Sequence, residues 1–369
     1  MTPSRLRPDE IRKIAVMSLT GLGDTLLYRP ALRELKKRLP HAEIHAICAS
    51  RAATVFFESC DEVTRTIQLS QSRNVSPGNG WRLVKGAWAL RGERYDLSLT
   101  VFPSNRFACA LLAILVGARW RLAHHYRSRD HWRNLNGLIH ADVPADPNLH
   151  DVEQNMTLIE KVTGAPWSSA ELDVSFDPAA SQIDVAREMF RAWGLDGKHV
   201  TGMHVTSFPD MTYKRWEGSR FCELAGRILE SPMTGVIIFG TRDERGYIEQ
   251  VVGDRGDRIT VCTDAPFEVV AALVAQCSAF VSNDSGLMHL AVCVGVPTLG
   301  IFGPTNPVRT RPWGARHRMV QPDHACLACY RYPFGASPEL EKCIAHSCLD
   351  ALSVAEVYSA YESLREVDG

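Results

Sequence analysis

Short apolar strand patterns alternate with helical patterns along most of this chain. Lys13 to Ser18 and Glu43 to Cys48 are strand-like, and between them Thr25 to Leu39 places leucines at helical spacing. This alternation is typical of parallel sheets, in which each helix carries the chain back to the start of the next strand. The sequence therefore predicts an α/β fold.

The alternation is interrupted once. Residues Ala165 to Ala180 contain prolines and lack clear periodicity, and a second strand-and-helix series follows them. A chain of 369 residues is too long for one ordinary core and suits two domains of about 150–200 residues each. We predict an N-terminal Rossmann-like domain over 1–170, a linker over 171–195, a C-terminal Rossmann-like domain over 196–350 and a final helix over 351–369.

The charge balance and the apolar runs limit the partners of the chain. The formal net charge is -1, which gives no general electrostatic basis for binding nucleic acid. The longest apolar run, Phe107 to Ala118, is shorter than the roughly 20 residues of a membrane span, and the first residues do not resemble a secretory signal. We expect a soluble protein of the reducing cytoplasm that meets any anionic partner through a local patch.

The first strand is followed by a glycine-rich turn with the sequence Gly21-Leu22-Gly23-Asp24. A dinucleotide fingerprint would have glycine where Leu26 stands, so a nicotinamide cofactor is disfavoured. Asp24 has two interpretations. It could cap the following helix, or it could be a carboxylate at the site that takes a proton during catalysis.

A second motif follows a later strand and opens a helix, with the sequence Asn283-Asp284-Ser285-Gly286-Leu287-Met288-His289. Asp284 or Ser285 can cap this helix, which leaves amides of its first turn available. Such a helix N-terminus is a diphosphate-binding site. His289 lies one turn into the helix, where it could be a core residue or a site residue.

These motifs resemble the signature of glycosyltransferase family nine, the ADP-heptose:lipopolysaccharide heptosyltransferases. The matching segments occur in the family's order and cover most of the chain. They are Gly23-Asp24, His204 to Ser207 with Lys214, Phe239 to Thr241 with Glu244, and the string from Asp284 to Pro307.

The resemblance implies a GT-B fold, in which two Rossmann-like domains face each other across a cleft. It implies inverting, metal-independent transfer of heptose from ADP-heptose to a lipopolysaccharide core acceptor of the Kdo/lipid A type, with no cofactor. Asp24 would be the general base, next to Gly23 on the acceptor side. The implied donor-site residues are Thr206, Ser207 and Lys214 at the diphosphate, Glu244 at the ribose, and Asp284, Ser285, Gly286 and His289 along the site.

A basic and aromatic stretch lies in the first domain, on the acceptor side of such an enzyme. We hypothesise that Arg127, Arg129 and Arg133 contact phosphates or acidic sugars of a lipid-linked acceptor. Arg82, Lys85 and Arg91 could extend this patch toward an anionic membrane surface, which would place the enzyme peripherally on the cytoplasmic face of the inner membrane. A simple exposed basic face is the alternative interpretation.

Four cysteines cluster near the end of the chain, with His324 and His346 close by. Their residue types would suit zinc, but a local fold without metal fits the loose spacing equally well. The four are Cys326, Cys329, Cys343 and Cys348.

Three other functions remain open at this stage. The same fold could use another nucleotide sugar or glycan acceptor, it could bind nucleotide sugars without catalysis, or it could act as a sugar-nucleotide epimerase. A binder has no need of a base at Asp24, and this favours the enzyme.

Overall fold

A computed structural model describes residues 7–69, 77–103, 107–126, 141–207, 211–253, 258–324, 326–331 and 347–365. The chain divides into two compact units, and the boundary between them lies between Val174 and Ser175. Each unit contains one six-stranded parallel sheet with helices. The predicted α/β class is confirmed for both halves.

The first unit begins with the predicted strand–turn–helix–strand sequence. Its sheet has the strand order β3-β2-β1-β4-β5-β6. The strands are β1 (Lys13–Ser18), β2 (Glu43–Cys48), β3 (Arg65–Gln68), β4 (Leu97–Thr100), β5 (Trp120–His125) and β6 (Ala141–Pro144). The helices are α1 (Leu22–Leu26), α2 (Arg29–Arg38), α3 (Arg51–Glu58), α4 (Pro77–Ala89), α5 (Phe107–Val116) and α6 (Asp151–Thr163).

The second unit repeats this arrangement, with the strand order β12-β11-β10-β7-β8-β9. The strands are β7 (His199–His204), β8 (Thr234–Phe239), β9 (Ile259–Cys262), β10 (Ala279–Asn283), β11 (Thr298–Ile301) and β12 (Arg318–Val320). The helices are α7 (Ala180–Ala192), α8 (Gly218–Ile228), α9 (Arg245–Val252), α10 (Phe267–Ala275), α11 (Gly286–Cys293), α12 (Pro307–Thr310), α13 (Ser347–Asp350) and α14 (Val354–Arg365).

The predicted bounds of β1 and β2 agree with the structure, and α14 lies within the segment 351–369 that was predicted to hold the final helix. The prediction of one helix from Thr25 to Leu39 is wrong, because the chain forms α1 and then α2. Pro30 lies in the first turn of α2. Proline has no N–H to bond the carbonyl of residue 26 and its ring crowds that carbonyl, so one continuous helix cannot pass through it.

The segment from Gln71 to Gly80 is polar and rich in glycine, asparagine and serine, a composition that predicts a loop. This prediction is wrong in its last part, because α4 begins at Pro77. Proline is favoured in the first turn of a helix, where its missing N–H would have no intrahelical partner in any case. The earlier part of that loop, 70–76, lies outside the described residues.

The segment 171–195, predicted to be a linker, contains α7. This helix buries Ala186 and Phe190 in one of the two apolar clusters of the second unit. The last helix, α14, also belongs to this unit: the Tyr361 hydroxyl bonds the Thr201 hydroxyl at 2.7 Å, and the Trp216 indole N–H donates to the Leu352 carbonyl at 2.9 Å. The end of the described chain is therefore part of the second unit's core.

In each sheet the first strand of the unit lies between the second and the fourth. β1 pairs with β2 and β4, and β7 pairs with β8 and β10. The strand order reverses at this position, and loops leaving the carboxyl ends of the two neighbouring strands diverge there and leave a crevice that binds ligands. Both units therefore have a site of this kind after their first strand.

Candidate functional site

In the second unit, the carboxyl end of β7 carries a buried histidine that joins two neighbouring loops. His204 Nδ1 lies 2.9 Å from the Ser285 hydroxyl, and His204 Nε2 lies 2.9 Å from the Thr206 hydroxyl. The Thr206 hydroxyl in turn donates to Glu244 Oε1 at 2.6 Å. A continuous chain of hydrogen bonds thus links α11 to the turn after β8.

The direction of each hydrogen bond in this chain follows from the state of His204. Burial lowers the pKa of His204 to about 4, so the imidazole is neutral near pH 7 and carries one N–H. Because Thr206 gives its hydrogen to Glu244, it must accept from His204 Nε2–H. His204 Nδ1 is then an acceptor, and Ser285 donates to it. Both hydroxyl hydrogens are therefore used inside the protein.

Glu244 is held by three hydrogen bonds. Besides Thr206, the Thr241 amide and hydroxyl donate to Glu244 Oε2 at 2.7 and 2.8 Å. Burial would raise the pKa of Glu244, but these bonds and the neighbouring His204 outweigh burial and lower it. A carboxylate offers about four lone-pair positions, so one acceptor position remains for a ligand hydroxyl.

Lys214 and Asp284 form a shielded ion pair, with Lys214 Nζ 3.0 Å from Asp284 Oδ2. The two side chains are 15% and 7% exposed. Burial would raise the pKa of Asp284, but the charge of Lys214, assisted by His289 and by a hydrogen bond from Thr305, lowers it. A cation and an anion are thus held together at the end of β10, where Coulomb interactions are stronger than in water.

The helix that follows, α11, is capped by Ser285. The Ser285 hydroxyl accepts the Met288 amide at 3.4 Å, so Ser285 and not Asp284 is the N-cap. The amides of Gly286 and Leu287 occupy the first two positions of the helix, where intrahelical acceptors do not exist. These two donors and the positive end of the helix dipole are suited to an anion.

His289 is buried one turn into α11. Burial lowers its pKa to about 4, despite the opposing influence of Asp284. Its Nδ1 atom makes no hydrogen bond within the described part of the chain. Buried polar atoms of side chains almost always have a partner, so this nitrogen is a position that a bound ligand group would satisfy.

The site is held in place by three residues that sequence reasoning did not select, namely Asn283, Arg215 and Tyr330. The side chain of Asn283 accepts the Trp216 amide at 2.9 Å and donates to the Thr206 carbonyl at 3.4 Å. Arg215 donates to the hydroxyl and the carbonyl of Ser207, both at 2.9 Å. The Ser207 hydroxyl donates to the Met211 carbonyl at 2.8 Å, which fixes the segment leading to Lys214.

Tyr330 is the third, and it comes from a distant part of the sequence. Lys214 Nζ lies 5.3 Å from the centre of the Tyr330 ring, and the Tyr330 amide donates to the Pro304 carbonyl at 2.8 Å. A cation over an aromatic face is stabilised electrostatically. Nothing in the spacing of the sequence indicated this contact, because the ring reaches the site through an isolated bridge between Thr305 and Tyr330.

In the first unit, the corresponding position after β1 holds Asp24 and Gly23. Both lie in α1, where Asp24 is half-buried and its Oδ2 accepts the Gly21 amide at 3.0 Å. Asp24 is thus the third residue of the helix and caps it from inside, so the expected capping contact is present. The bond also fixes the orientation of a carboxylate at a topological switch point.

Some of the predicted residues lie in segments that the structure does not describe. Arg127, Arg129 and Arg133 lie outside the described residues, as do Cys343 and His346.

Cys329 and Cys348 are buried and Cys326 is exposed. Among the residues that the structure describes, no three histidine, cysteine or acidic side chains are grouped so as to hold a metal ion. None of the described helices is long and apolar enough to cross a bilayer.

Comparison with known proteins identifies the class of the chain. The profile of glycosyltransferase family 9 (heptosyltransferase) matches residues 83–336. Lipopolysaccharide heptosyltransferase 1 of Pseudomonas aeruginosa is 30% identical over 334 residues, which cover 86% of each protein.

Solved structures show the same fold. A family 9 glycosyl transferase from Veillonella parvula has a TM-score of 0.78 and 21% identity, with 99% of this chain and all of the other covered. The E. coli ADP-heptose lps heptosyltransferase II has a TM-score of 0.72 and 19% identity, over 96% and 99% of the two chains. The predicted GT-B fold class is confirmed, and the chain belongs to glycosyltransferase family 9, the heptosyltransferase family.

Proposed function

We propose that this enzyme transfers heptose from ADP-heptose to a lipopolysaccharide core acceptor, with inversion at the anomeric carbon and without a metal ion. The family match supports heptose, and the names of the Pseudomonas and E. coli relatives support the donor and the acceptor class. The observation that carries the proposal is the group of anion-binding features at the end of β10. Lys214, the Gly286 and Leu287 amides and the α11 dipole are brought together there.

In this proposal the diphosphate is bound by Lys214 and by the first amides of α11. The hydroxyl hydrogens of Thr206, Ser207 and Ser285 are already donated to Glu244, Met211 and His204. These three residues therefore position the site and do not donate their hydroxyls to phosphate. The family resemblance implies that Thr206 and Ser207 hold the diphosphate together with Lys214, and that Ser285 and Gly286 line the donor site; in this proposal Lys214 and the Gly286 amide hold the diphosphate.

Glu244 is proposed to accept a ribose hydroxyl. Three donors already fix both of its oxygens, so the remaining acceptor position has a defined direction. Asp284 and His289 line the same site, and the unpartnered Nδ1 of His289 is available to a hydroxyl or phosphate oxygen of the donor.

The proposed reaction begins at Asp24. Its carboxylate takes the proton of the acceptor hydroxyl, whose oxygen attacks the anomeric carbon while the bond from that carbon to the diphosphate oxygen breaks. ADP leaves with the additional charge on its diphosphate. Lys214 and the helix amides stabilise that charge, so this step requires no divalent ion.

The acceptor is proposed to be an anionic lipid-linked saccharide at the cytoplasmic face of the inner membrane. Arg127, Arg129 and Arg133 remain candidates for contacts with its phosphates or acidic sugars. Reversal of charge at Arg127 and Arg129 should raise the KM for the acceptor and leave the KM for the donor unchanged. Unchanged acceptor kinetics would remove these arginines from the proposal.

The proposal is tested by measuring donor binding and turnover. Purified protein is titrated with ADP-heptose, ADP-glucose, UDP-sugars and GDP-sugars, each with and without EDTA. Selective binding of ADP-heptose and transfer that survives EDTA are expected. Preference for a uridine or guanosine sugar would replace the donor, loss of transfer with EDTA would reject the metal-free mechanism, and binding without turnover on any acceptor would reject catalysis.

A further inference from the structure

Helix α4 exposes large aromatic side chains on its outer face. Trp81 is 61% and Trp88 58% exposed, and Phe107 on the adjoining α5 is 43% exposed. Within the described residues of the first unit, these are the large apolar side chains that remain exposed. The opposite face of α4 is ordinary core, because Ala87 is fully buried against the sheet. The exposed rings are therefore additional to those that the fold needs.

The same face carries positive charge. Lys85 Nζ lies 5.6 Å from the Trp81 ring centre, and the Arg91 guanidinium, just after the helix, lies 4.6 Å from the Trp88 ring centre. Arg82 is also exposed, and α4 contains no acidic residue. Arg82, Lys85 and Arg91 form no ion pair in the described part of the chain, so their charges are available to an anionic partner.

The spacing places these residues side by side. Residues 81, 85 and 88 are four and three positions apart, which brings them onto one stripe of the helix. Tryptophan combines a large apolar ring with a polar N–H, and the boundary between lipid chains and headgroups satisfies both parts. Lysine and arginine beside such rings interact with lipid phosphates.

We propose that this outer face of α4, together with Phe107, docks on an anionic phospholipid bilayer. The indole rings would lie at headgroup level, and Arg82, Lys85 and Arg91 would contact the phosphates. Docking of a second copy through the same face would oppose these cations to themselves, so the charge pattern favours the lipid. The inference rests on the proposed function, since a lipid-linked acceptor requires the enzyme at the membrane.

The test measures flotation of the full-length protein with vesicles. Vesicles of phosphatidylethanolamine with phosphatidylglycerol should bind the protein, and vesicles of phosphatidylcholine alone should not. The double variant Trp81→Ser/Trp88→Ser should bind about tenfold or more weakly, because the interfacial anchors are lost. The double variant Arg82→Gln/Lys85→Gln should also bind more weakly, and high salt should weaken the wild type as well.

A matched control removes exposed apolar side chains from the second unit. Val185 and Met233 are 40% and 56% exposed, and Val185→Ser/Met233→Ser should bind vesicles as the wild type does. Donor affinity, measured without vesicles, should be the same in all of these variants. If the wild type binds vesicles but shows no affinity for ADP-heptose in the separate titration, the docking surface stands and the proposed function is rejected.

Two results would overturn the docking surface. One is vesicle binding by the tryptophan variant equal to that of the wild type. The other is a dimer of the wild type in sedimentation velocity that the tryptophan variant abolishes, since the face would then bind a second copy of the chain.

Discussion

The two units have the same strand order but very different residues after their first strands. In the second unit, a buried network joins His204, Thr206, Glu244 and Ser285, next to the Lys214–Asp284 ion pair. In the first unit, the short helix α1 places Asp24 there, half-buried and bonded to the amide of Gly21. One scaffold thus supports a buried histidine and carboxylate network in the second unit and a carboxylate held by a short helix in the first.

This difference matches the two tasks of the proposed enzyme. Recognition of a diphosphate and a nucleoside needs many fixed partners, and each buried polar group must be satisfied by another. Proton removal from an acceptor hydroxyl needs one well-oriented carboxylate. The comparison predicts that changes in the first unit affect turnover with little effect on donor binding, whereas changes in the second unit affect both.

The largest effect is expected at Asp24. Asp24→Asn keeps an oxygen for the Gly21 amide but removes the base, so kcat should fall by about 10²–10⁴. Donor affinity and thermal stability should stay close to those of the wild type. They are measured by calorimetric titration and thermal unfolding. A variant that loses stability but keeps its turnover would show that Asp24 only caps α1.

The second largest effect is expected at Lys214. Lys214→Met removes the charge proposed to stabilise the leaving diphosphate, so kcat/KM should fall by about 10²–10³ and donor binding should weaken as well. It also leaves Asp284 buried without its counter-charge, which should cost about 3 kcal/mol or more of unfolding free energy in urea titrations.

The double variant Lys214→Met/Asp284→Asn serves as the control for that loss of stability. It should recover much of the unfolding free energy while turnover stays low. Recovery of both quantities together would mean that Lys214 acts by stabilising the fold alone.

Acid should destabilise the second unit through His204 and His289, which are both buried. Burial lowers the pKa of His204 and of His289 to about 4, below the usual value near 6.5. The unfolded chain therefore binds more protons between these values, and stability falls as the pH falls through this range. The loss should be about 1.4 kcal/mol per pH unit for each histidine.

Urea unfolding at pH 6 and pH 5 measures this slope. In His204→Gln the slope of the unfolding free energy against pH should be smaller by the contribution of one histidine, because glutamine can still donate to Thr206 but does not titrate. His124 in the first unit has a pKa lowered to about 3 by burial, and it adds a similar contribution there. An unchanged slope in the His204 variant would contradict the neutral, buried state assigned to this residue.

The smallest effect is expected at Glu244. Glu244→Gln keeps a side chain of the same size but replaces one acceptor oxygen with a donor group, so one contact to the proposed ribose is lost. Donor binding should weaken about tenfold, as expected for one hydrogen bond to a charged group. Titration with ADP and with the 2′,3′-dideoxy form of ADP checks this, since the variant and the wild type should bind the latter almost equally.

Much of the fold could be predicted from the sequence because apolar runs of four to six residues between turns specify buried parallel strands. β1 and β2 are almost entirely buried, and their patterns gave their bounds correctly. Helix α6 was not predicted. It depends on a capping box in which the His150 ring accepts the Val152 amide and Glu153 accepts the His150 amide, and histidine is not a usual capping residue.

Only part of the candidate site could be predicted from the sequence. Asp284, Ser285 and Lys214 lie in recognisable motifs, and the structure brings them together at the end of β10. The pairing of Lys214 with Asp284 joins residues 70 positions apart, and the Tyr330 ring is more distant still in sequence. Such contacts depend on the tertiary arrangement of loops, for which local spacing gives no signal.

The hydrogen bonds to the last helix limit where this chain can be joined to a relative in a hybrid enzyme. The Trp216 indole and the Thr201 hydroxyl bond to Leu352 and Tyr361, so the second unit depends on residues at the far end of the described chain. A hybrid enzyme joined near Val174 would inherit this unit whole. A crossover between α12 and α14 would join most of the second unit to the last helix of another protein, and the unit should be less stable wherever that helix does not reproduce these two hydrogen bonds.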